Sequence, residues 1–504
     1  MTENIEQQAS AGGIQRLVSL VGLGLGPLLA IFVGLALPDS VPGAEGAIAI
    51  SADARITASV ATLMAVWWLT EAIPLSATAL LPLALLPLLG ARSITDTAAP
   101  YANPVIFLFL GGFMLGLAMQ RWGLHKRIAL IVISAVGTGP KSIIAGFMIA
   151  TAMLSAFVSN TATVIMLIPI ATSVLATLPS NANEPDGARK RFATCLVLAI
   201  AYAASIGGIA TLIGTPPNAI LAGFVESRGE YDISFGEWLV HALPLVLVLL
   251  PLAYVLLVGP LFRISGDVGG NRDAMRAELR KLGPMKPGEW AVFIIFIMTA
   301  TLWIFQDLFM KLPGLGRLGI TLSDAQIAMF AAVALFVTPV DRKWRTFVMD
   351  WDTATRAPFG ILLLFGGGLS LAAAVSGTGL DSAIGQQFAR LHGVPIWVIV
   401  LTLCLTVTFL TELTSNTAVT SAMLPVMAAA ATALGIDDAY LLLPVAVSAS
   451  CAFMLPVATP PNAVAFASGH VTIGQMARTG VLLNVTFAVV ITAWVMIVAP
   501  RLLT

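Results

Sequence analysis

The chain has 504 residues, of which 58% are hydrophobic and only 10% charged, with 26 basic and 26 acidic side chains and a formal net charge of zero. Ordinary soluble domains carry roughly 25% charged residues, so a water-facing surface is excluded for most of this chain and an all-α polytopic membrane protein is predicted. The three cysteines, Cys195, Cys404 and Cys451, lie in apolar segments without paired spacing, which supports neither a disulfide framework nor a zinc site and reads as buried thiols.

In chain order, residues 1–16 form a short polar amino-terminal tail, and no small-residue cleavage site follows a short apolar region, so no signal peptide is expected. Apolar runs of the ~20 residues that cross a bilayer predict about 11 spans, near 17–36, 54–72, 75–93, 103–120, 192–226, 240–260, 289–307, 325–340, 357–376, 440–469 and 479–500. Two further stretches, 142–178 and 396–434, each hold a Ser-Asn-Thr-Ala tetrapeptide at the middle, Ser159-Asn160-Thr161-Ala162 and Ser415-Asn416-Thr417-Ala418. Each flank is too short for a full crossing, so both stretches are predicted to be re-entrant hairpins with the motif at the tip. With the amino terminus in the cytoplasm and both hairpins returning to the side they left, most basic residues fall in inside loops, as the positive-inside rule asks.

That threading opens the first hairpin to the cytoplasm and the second to the outside, an inverted repeat. Other matches agree with it. Phe109-Leu110-Gly111-Gly112 precedes the first hairpin as Leu364-Phe365-Gly366-Gly367 precedes the second, and Pro169 matches Pro425. Thr215-Pro216-Pro217-Asn218-Ala219 follows the first and Thr459-Pro460-Pro461-Asn462-Ala463 the second. Inverted repeats with broken helices meeting near the midplane are a transporter architecture.

The chemistry of these breaks is specific. A return limb that starts at a tip presents backbone N–H groups without intrahelical partners and a partial positive charge, which suits an anion. Ser and Asn oxygens, with the carbonyls that end the first limb, suit a hard cation such as sodium. The prolines of each Thr-Pro-Pro-Asn element are expected to free the carbonyls four residues earlier, Leu212 and Ile213 in one copy, Pro456 and Val457 in the other. Small residues, Gly207, Gly208, Gly214 and Ala458, leave room for the tips to approach. Apart from Arg55 and Arg92 at the outer ends of two spans, none of the basic residues falls inside a predicted span or hairpin, so a bound anion must be neutralised by helix starts and co-bound cations. Glu412 is the clearest intramembrane acid, open to a proton relay, a cation-site support or a hydrogen bond to the hairpin backbone; Glu71 sits at a span end. The histidines His125, His241, His392 and His470 are scattered at span ends and suggest no metal or catalytic role.

With both Ser-Asn-Thr hairpins and both Thr-Pro-Pro-Asn breaks, the chain resembles the divalent anion sodium symporter family of dicarboxylate, citrate and sulfate transporters, over nearly its whole length. The resemblance implies a homodimer working by an elevator movement, with scaffold helices at 17–141 and 227–395 and transport elements at 142–226 and 396–504. It implies one sodium site from Ser155, Ser159, Asn160 and the Gly214 carbonyl and another from Thr411, Ser415, Asn416 and the Ala458 carbonyl. Substrate carboxylates would be held by Asn160, Thr161, Asn416 and Thr417, with Thr215 and Thr459 in support. The reading is sodium-coupled uptake of a C4 dicarboxylate such as succinate, malate or fumarate across a bacterial inner membrane, with sodium, substrate, lipid and a second copy as partners and no nucleic acid. A sodium-independent dicarboxylate exchanger, or a sulfate or citrate carrier, is the alternative. An enzyme is not expected, since no nucleophile with a base, His-rich set or acidic pair lies in the spans, and a channel suits two opposed hairpins less well.

Overall fold

The computed structural model describes residues 2–43, 46–137, 139–177, 187–229, 233–264, 279–310 and 322–502. Helix α1 (Thr2–Ala36) leads through a two-stranded antiparallel hairpin, β1 (Ser40–Gly43) and β2 (Gly46–Ala49), to α2 (Ala52–Thr70). Three short helices follow, α3 (Leu75–Thr78), α4 (Leu81–Leu88) and α5 (Ile94–Ala98), and then α6 (Pro104–Trp122) and α7 (Leu124–Val136). The first Ser-Asn-Thr separates α8 (Pro140–Ser155) from α9 (Asn160–Thr177), and the first Thr-Pro-Pro-Asn separates α10 (Ala188–Gly208) from α11 (Pro216–Arg228). Next come α12 (Phe235–Leu256), α13 (Pro287–Met310), α14 (Asp324–Val337), α15 (Trp351–Ala354), α16 (Phe359–Gly377) and α17 (Leu380–Phe388). The second motif pair then divides α18 (Ile396–Thr411) from α19 (Asn416–Leu434) and α20 (Ala439–Ala449) from α21 (Pro460–Ala467), before the closing α22 (Ile473–Leu502).

Among the described residues eight helices are long and apolar enough to cross a membrane, or up to nine if one bent pair counts as a span, fewer than the 11 predicted. The run 75–93 accounts for part of the difference. Pro82 starts α4 rather than continuing α3, and the 8 residues of α4 rise only ~12 Å against a hydrocarbon core of about 30 Å. The 14 residues of α14 rise ~21 Å, and the predicted spans 192–226 and 440–469 are each divided by their Thr-Pro-Pro-Asn element. On the other side of the count, α19 with 19 residues passes the length test although it is the return limb of a predicted hairpin. The bent pair is Leu380–Leu391 with Ile396–Thr411, meeting at 117° across Gly393 (φ 92°) and Pro395.

α10 is the centre of the packing. It is apolar on every side and nearly all of it is buried, the signature of a helix surrounded by others. Its small residues let neighbours approach: a Cβ on Gly207 would collide with the backbone of Ala152 in α8, the close contact that small residues permit between membrane helices. The two halves interlock around it. α11, from the first break, packs against α19 and α20, while α21, from the second, packs against α9 and α10. Phe109 and Phe365, each from one copy of the matched segments but one position out of register, meet edge to face with ring centroids 5.1 Å apart. The three cysteines are buried within this packing.

Arg127, placed by sequence in a loop, lies instead in the first turn of α7 and is buried. Its guanidinium donates to both oxygens of Glu289, each at 3.0 Å, and to the carbonyls of Gly283 (2.8 Å) and Pro284 (3.3 Å). The fork geometry satisfies both charges where water is scarce, and it ties α7 to the start of α13.

Candidate cation and substrate site

Both tips are built the same way. α8 ends at Ser155 and α9 begins at Asn160; α18 ends at Thr411 and α19 begins at Asn416. The first helical bonds of the return limbs are Thr163 N–H to the Ser159 carbonyl (3.0 Å) and Val419 N–H to the Ser415 carbonyl (2.9 Å). The N–H groups of Asn160, Thr161 and Ala162, and of Asn416, Thr417 and Ala418, therefore precede any intrahelical acceptor. Ser415 caps its helix in extended backbone without a side-chain cap bond, which leaves its hydroxyl for another partner.

Inside each tip one hydroxyl links three elements. Ser155 Oγ donates to Asn160 Oδ1 and lies 2.7 Å from the Ala204 carbonyl at the end of α10. Thr411 Oγ1 donates to Asn416 Oδ1 at 2.5 Å and lies 3.2 Å from the Ala449 carbonyl at the end of α20. The polar residues in the first tip grade from buried Ser155 through half-buried Asn160 and Thr161 to exposed Ser159; in the second, Thr411 and Thr417 are buried and Ser415 and Asn416 half-buried. Gly214 is buried and its carbonyl approaches Gly208, whose missing Cβ would fall 2.8 Å from Asn160 Oδ1 and 3.2 Å from the Gly214 oxygen. The structure thus brings Ser155, Asn160 and Gly214 into one cluster. Among the described residues no hydrogen bond joins one tip to the other; the connection runs through the interlocked helices. Gly208→Ala is expected to raise the sodium concentration for half-maximal uptake about tenfold, equivalent to ~1.4 kcal/mol, because the new methyl displaces Asn160; a sodium titration of uptake checks it.

The Thr-Pro-Pro-Asn elements work differently from the sequence prediction. Pro216 and Pro217 do not interrupt a continuing helix; they occupy the first positions of α11, where proline has no N–H to lose, and Thr215 is the N-cap in extended backbone. Pro460 and Pro461 open α21 in the same way, with Thr459 Oγ1 accepting from Asn462 N–H at 3.3 Å. The carbonyls that the Asn side chains bridge run from the end of α10 into the first break and lie inside the second break, and are not those of Leu212, Ile213, Pro456 and Val457. Asn218 Nδ2 spans the carbonyls of Gly208 (3.1 Å), Ile209 (3.2 Å) and Thr211 (2.8 Å). Asn462 Nδ2 spans Ala452 and Leu455, both at 3.1 Å. Sequence reasoning missed this organising role; the signal was the repeat of Asn at the same place after both proline pairs.

The two breaks are closed by groups of opposite polarity. In the first, Thr211 Oγ1 donates to the Ala156 carbonyl. In the second, the residue at the position of Ala156 is Glu412, whose Oε1 accepts from the N–H groups of Phe453 (2.7 Å) and Met454 (2.8 Å) and from Asn484 Nδ2 (2.7 Å), while Oε2 accepts from Leu455 N–H (3.0 Å). Of the open readings for Glu412, a backbone bond is the one realised, though to the facing break and not to the hairpin. Tyr202 Oη of α10 donates to the Phe453 carbonyl at 2.9 Å, so the first half also holds the second break. Among the described residues, none of the hydrogen bonds made by Ser155, Asn160, Thr411 or Asn416 involves a basic side chain.

Residues 27–501 match the family described as the sodium:sulfate symporter transmembrane region. The chain belongs to the divalent anion sodium symporter family. Among its relatives, the sodium-dependent dicarboxylate transporter SdcS of Staphylococcus saprophyticus is 42% identical over 490 residues, covering 96% of this chain and 92% of the relative. SdcS of Staphylococcus aureus is 40% identical over 489 residues with the same coverage. Two solved structures share the fold: Neisseria gonorrhoeae MtrF, with TM-score 0.61 and 12% identity over 97% of this chain and 95% of that one, and the Alcanivorax borkumensis YdaH transporter, with TM-score 0.58 and 17% identity over 96% and 98%.

Proposed function

We propose that this symporter-family chain carries C4 dicarboxylates such as succinate, malate and fumarate into the cell, driven by sodium. One sodium ion is held by Ser155, Ser159, Asn160 and the Gly214 carbonyl, and a second by Thr411, Ser415, Asn416 and the Ala458 carbonyl. Asn160, Thr161, Asn416 and Thr417 receive the substrate carboxylates, with Thr215 and Thr459 behind them. The observation that carries this reading is the matched pair of tips: Ser155 and Thr411 each orient the following Asn through one hydroxyl, beside N–H groups that no helix uses. The names of the relatives at 40–42% identity supply the ion and the substrate class.

The charge balance explains why sodium is required. A dianion leaving water for a low-dielectric site needs countercharge, and the tips offer partial charges and neutral side chains. Two sodium ions offset the dianion, so cation loading completes the substrate site. In the same reading the transport unit (142–226 and 396–504) moves as an elevator against the scaffold (17–141 and 227–395) of an inverted repeat, in a homodimer of the bacterial inner membrane with the amino terminus in the cytoplasm.

Labelled succinate, malate, fumarate, citrate and sulfate, each offered to proteoliposomes with and without an inward sodium gradient, test the assignment. Uptake of the C4 acids with sodium alone is expected. Preferred uptake of sulfate or citrate, or dicarboxylate counterflow of equal rate without sodium, would replace it with a different carrier or an exchanger.

A further inference from the structure

α14 turns Phe330, Val333 and Val337 outward, all of them exposed and spaced to share one helix face, so lipid covers this stripe up to the last residue of the helix. The chain leaves helical geometry at Thr338 and makes a narrow hairpin, in which Pro339 bridges Phe347 and Val340 N–H donates to the Thr346 carbonyl at 2.9 Å. The base is held from two sides. Val348 and Met349 donate their N–H groups to the carbonyls of Thr338 and Leu335, both at 3.0 Å, while Trp122 Nε1 donates to the Val348 carbonyl at 2.8 Å and Arg121 pairs with Asp350 at 2.6 Å. The hairpin therefore starts where the lipid-facing side chains of α14 stop.

Its one acid is turned onto its own backbone. Asp341 Oδ1 accepts from the N–H groups of Lys343 (2.8 Å) and Arg345 (3.1 Å), and Oδ2 accepts from Thr346 N–H (2.7 Å). These bonds, that of Arg345 first, hold its carboxyl below the usual carboxylate range. The side chains left outward are Arg342, Lys343, Trp344 and Arg345, all exposed, so three cations flank an indole that is 67% exposed. Trp344 also sits at φ 57°, the left-handed region in which a bulky side chain is strained. Glycine would make the same turn without strain, so the turn does not account for the tryptophan. A second indole stands at the same end: Trp351, 65% exposed, lies against Phe336 of α14 with ring centroids 6.1 Å apart. Exposed indoles are favoured at the membrane–water boundary, and guanidinium and ammonium groups there attract the phosphates of anionic lipids.

We propose that the hairpin tip, residues 341–346, is a binding site for anionic phospholipid, with Trp344 seated among the headgroups and Arg342, Lys343 and Arg345 on their phosphates. In the orientation proposed above, that lipid belongs to the cytoplasmic leaflet. The inference is independent of which ions and acids the protein carries.

Brominated phospholipids quench the indoles they touch, and the difference between wild type and Trp344→Phe isolates Trp344 among the 10 tryptophans. In phosphatidylcholine proteoliposomes of the full-length protein, brominated phosphatidylglycerol is expected to half-quench Trp344 at about one fifth of the mole fraction that brominated phosphatidylcholine needs, the enrichment that one surface Arg or Lys provides. Arg342→Gln/Lys343→Gln/Arg345→Gln is expected to remove that preference. No quenching by either lipid would place Trp344 in water or against another protein and overturn the proposal. So would equal quenching by both, or a preference that survives the triple variant; should that variant not fold, Arg345→Gln takes its place, with a smaller preference expected and an unchanged one contrary. Trp344→Gly, relieved of strain, is expected to unfold in detergent at no lower temperature than wild type, whereas a lower midpoint would make Trp344 a packing residue and overturn the lipid role.

Discussion

Asn160→Ala and Asn416→Ala are each expected to lower sodium-driven uptake by about a hundredfold or more, ~2.7 kcal/mol in transition-state terms, while the protein stays folded. Each Asn is half-buried, so its removal leaves no large cavity. Its loss does release the hydroxyl that it orients: Ser155 then keeps the Ala204 carbonyl, and Thr411 the Ala449 carbonyl, while the cation loses an oxygen and the substrate an amide. Because the same side chain serves ion and anion, both the sodium and the succinate concentration for half-maximal uptake rise together. Initial rates in proteoliposomes, alongside thermal unfolding in detergent, measure the two effects separately. Normal transport by either variant would contradict the assignment of the tips.

Glu412→Ala is expected to act through stability. Removing the carboxylate strands the N–H groups of Phe453, Met454 and Leu455 and the amide of Asn484, and an unsatisfied buried donor costs about 1–3 kcal/mol each. The loss amounts to several kcal/mol, concentrated in the backbone that leads to Ala458. Glu412→Gln keeps the volume and one acceptor but turns an NH2 toward donors, so an intermediate loss follows. Thermal midpoints that fall in the order wild type, Gln, Ala, with sodium affinity declining in step, are the expected pattern; an unchanged midpoint in Glu412→Ala would refute the role.

The membrane class, the doubled motifs and the placement of both tips at helix starts were legible because they depend on local pattern: apolar length, a polar tetrapeptide, a proline pair. What depended on distant partners was not. Nothing in the neighbourhood of Arg127 announces Glu289, and the pair turns an apparent loop residue into a buried one. Apolar length misled at 75–93, where Pro82 restarts the helix, because hydropathy records that a segment is buried without recording whether it is continuous. The proline pairs were recognised as breaks, but their role as helix starters depends on where α10 and α20 stop and on the carbonyl bridges that Asn218 and Asn462 make within the breaks. Glu412 was visible as an acid; its partners lie some forty to seventy residues away, beyond any motif.

The central claim is that sodium ions stand where fixed positive charges would otherwise hold a dianion, and direct binding of succinate to the purified protein tests it most closely. Binding followed by the thermal shift across a sodium titration, with choline holding ionic strength constant, should show no succinate stabilisation without sodium and a saturating one as sodium rises. Equal stabilisation by succinate in choline would contradict the account.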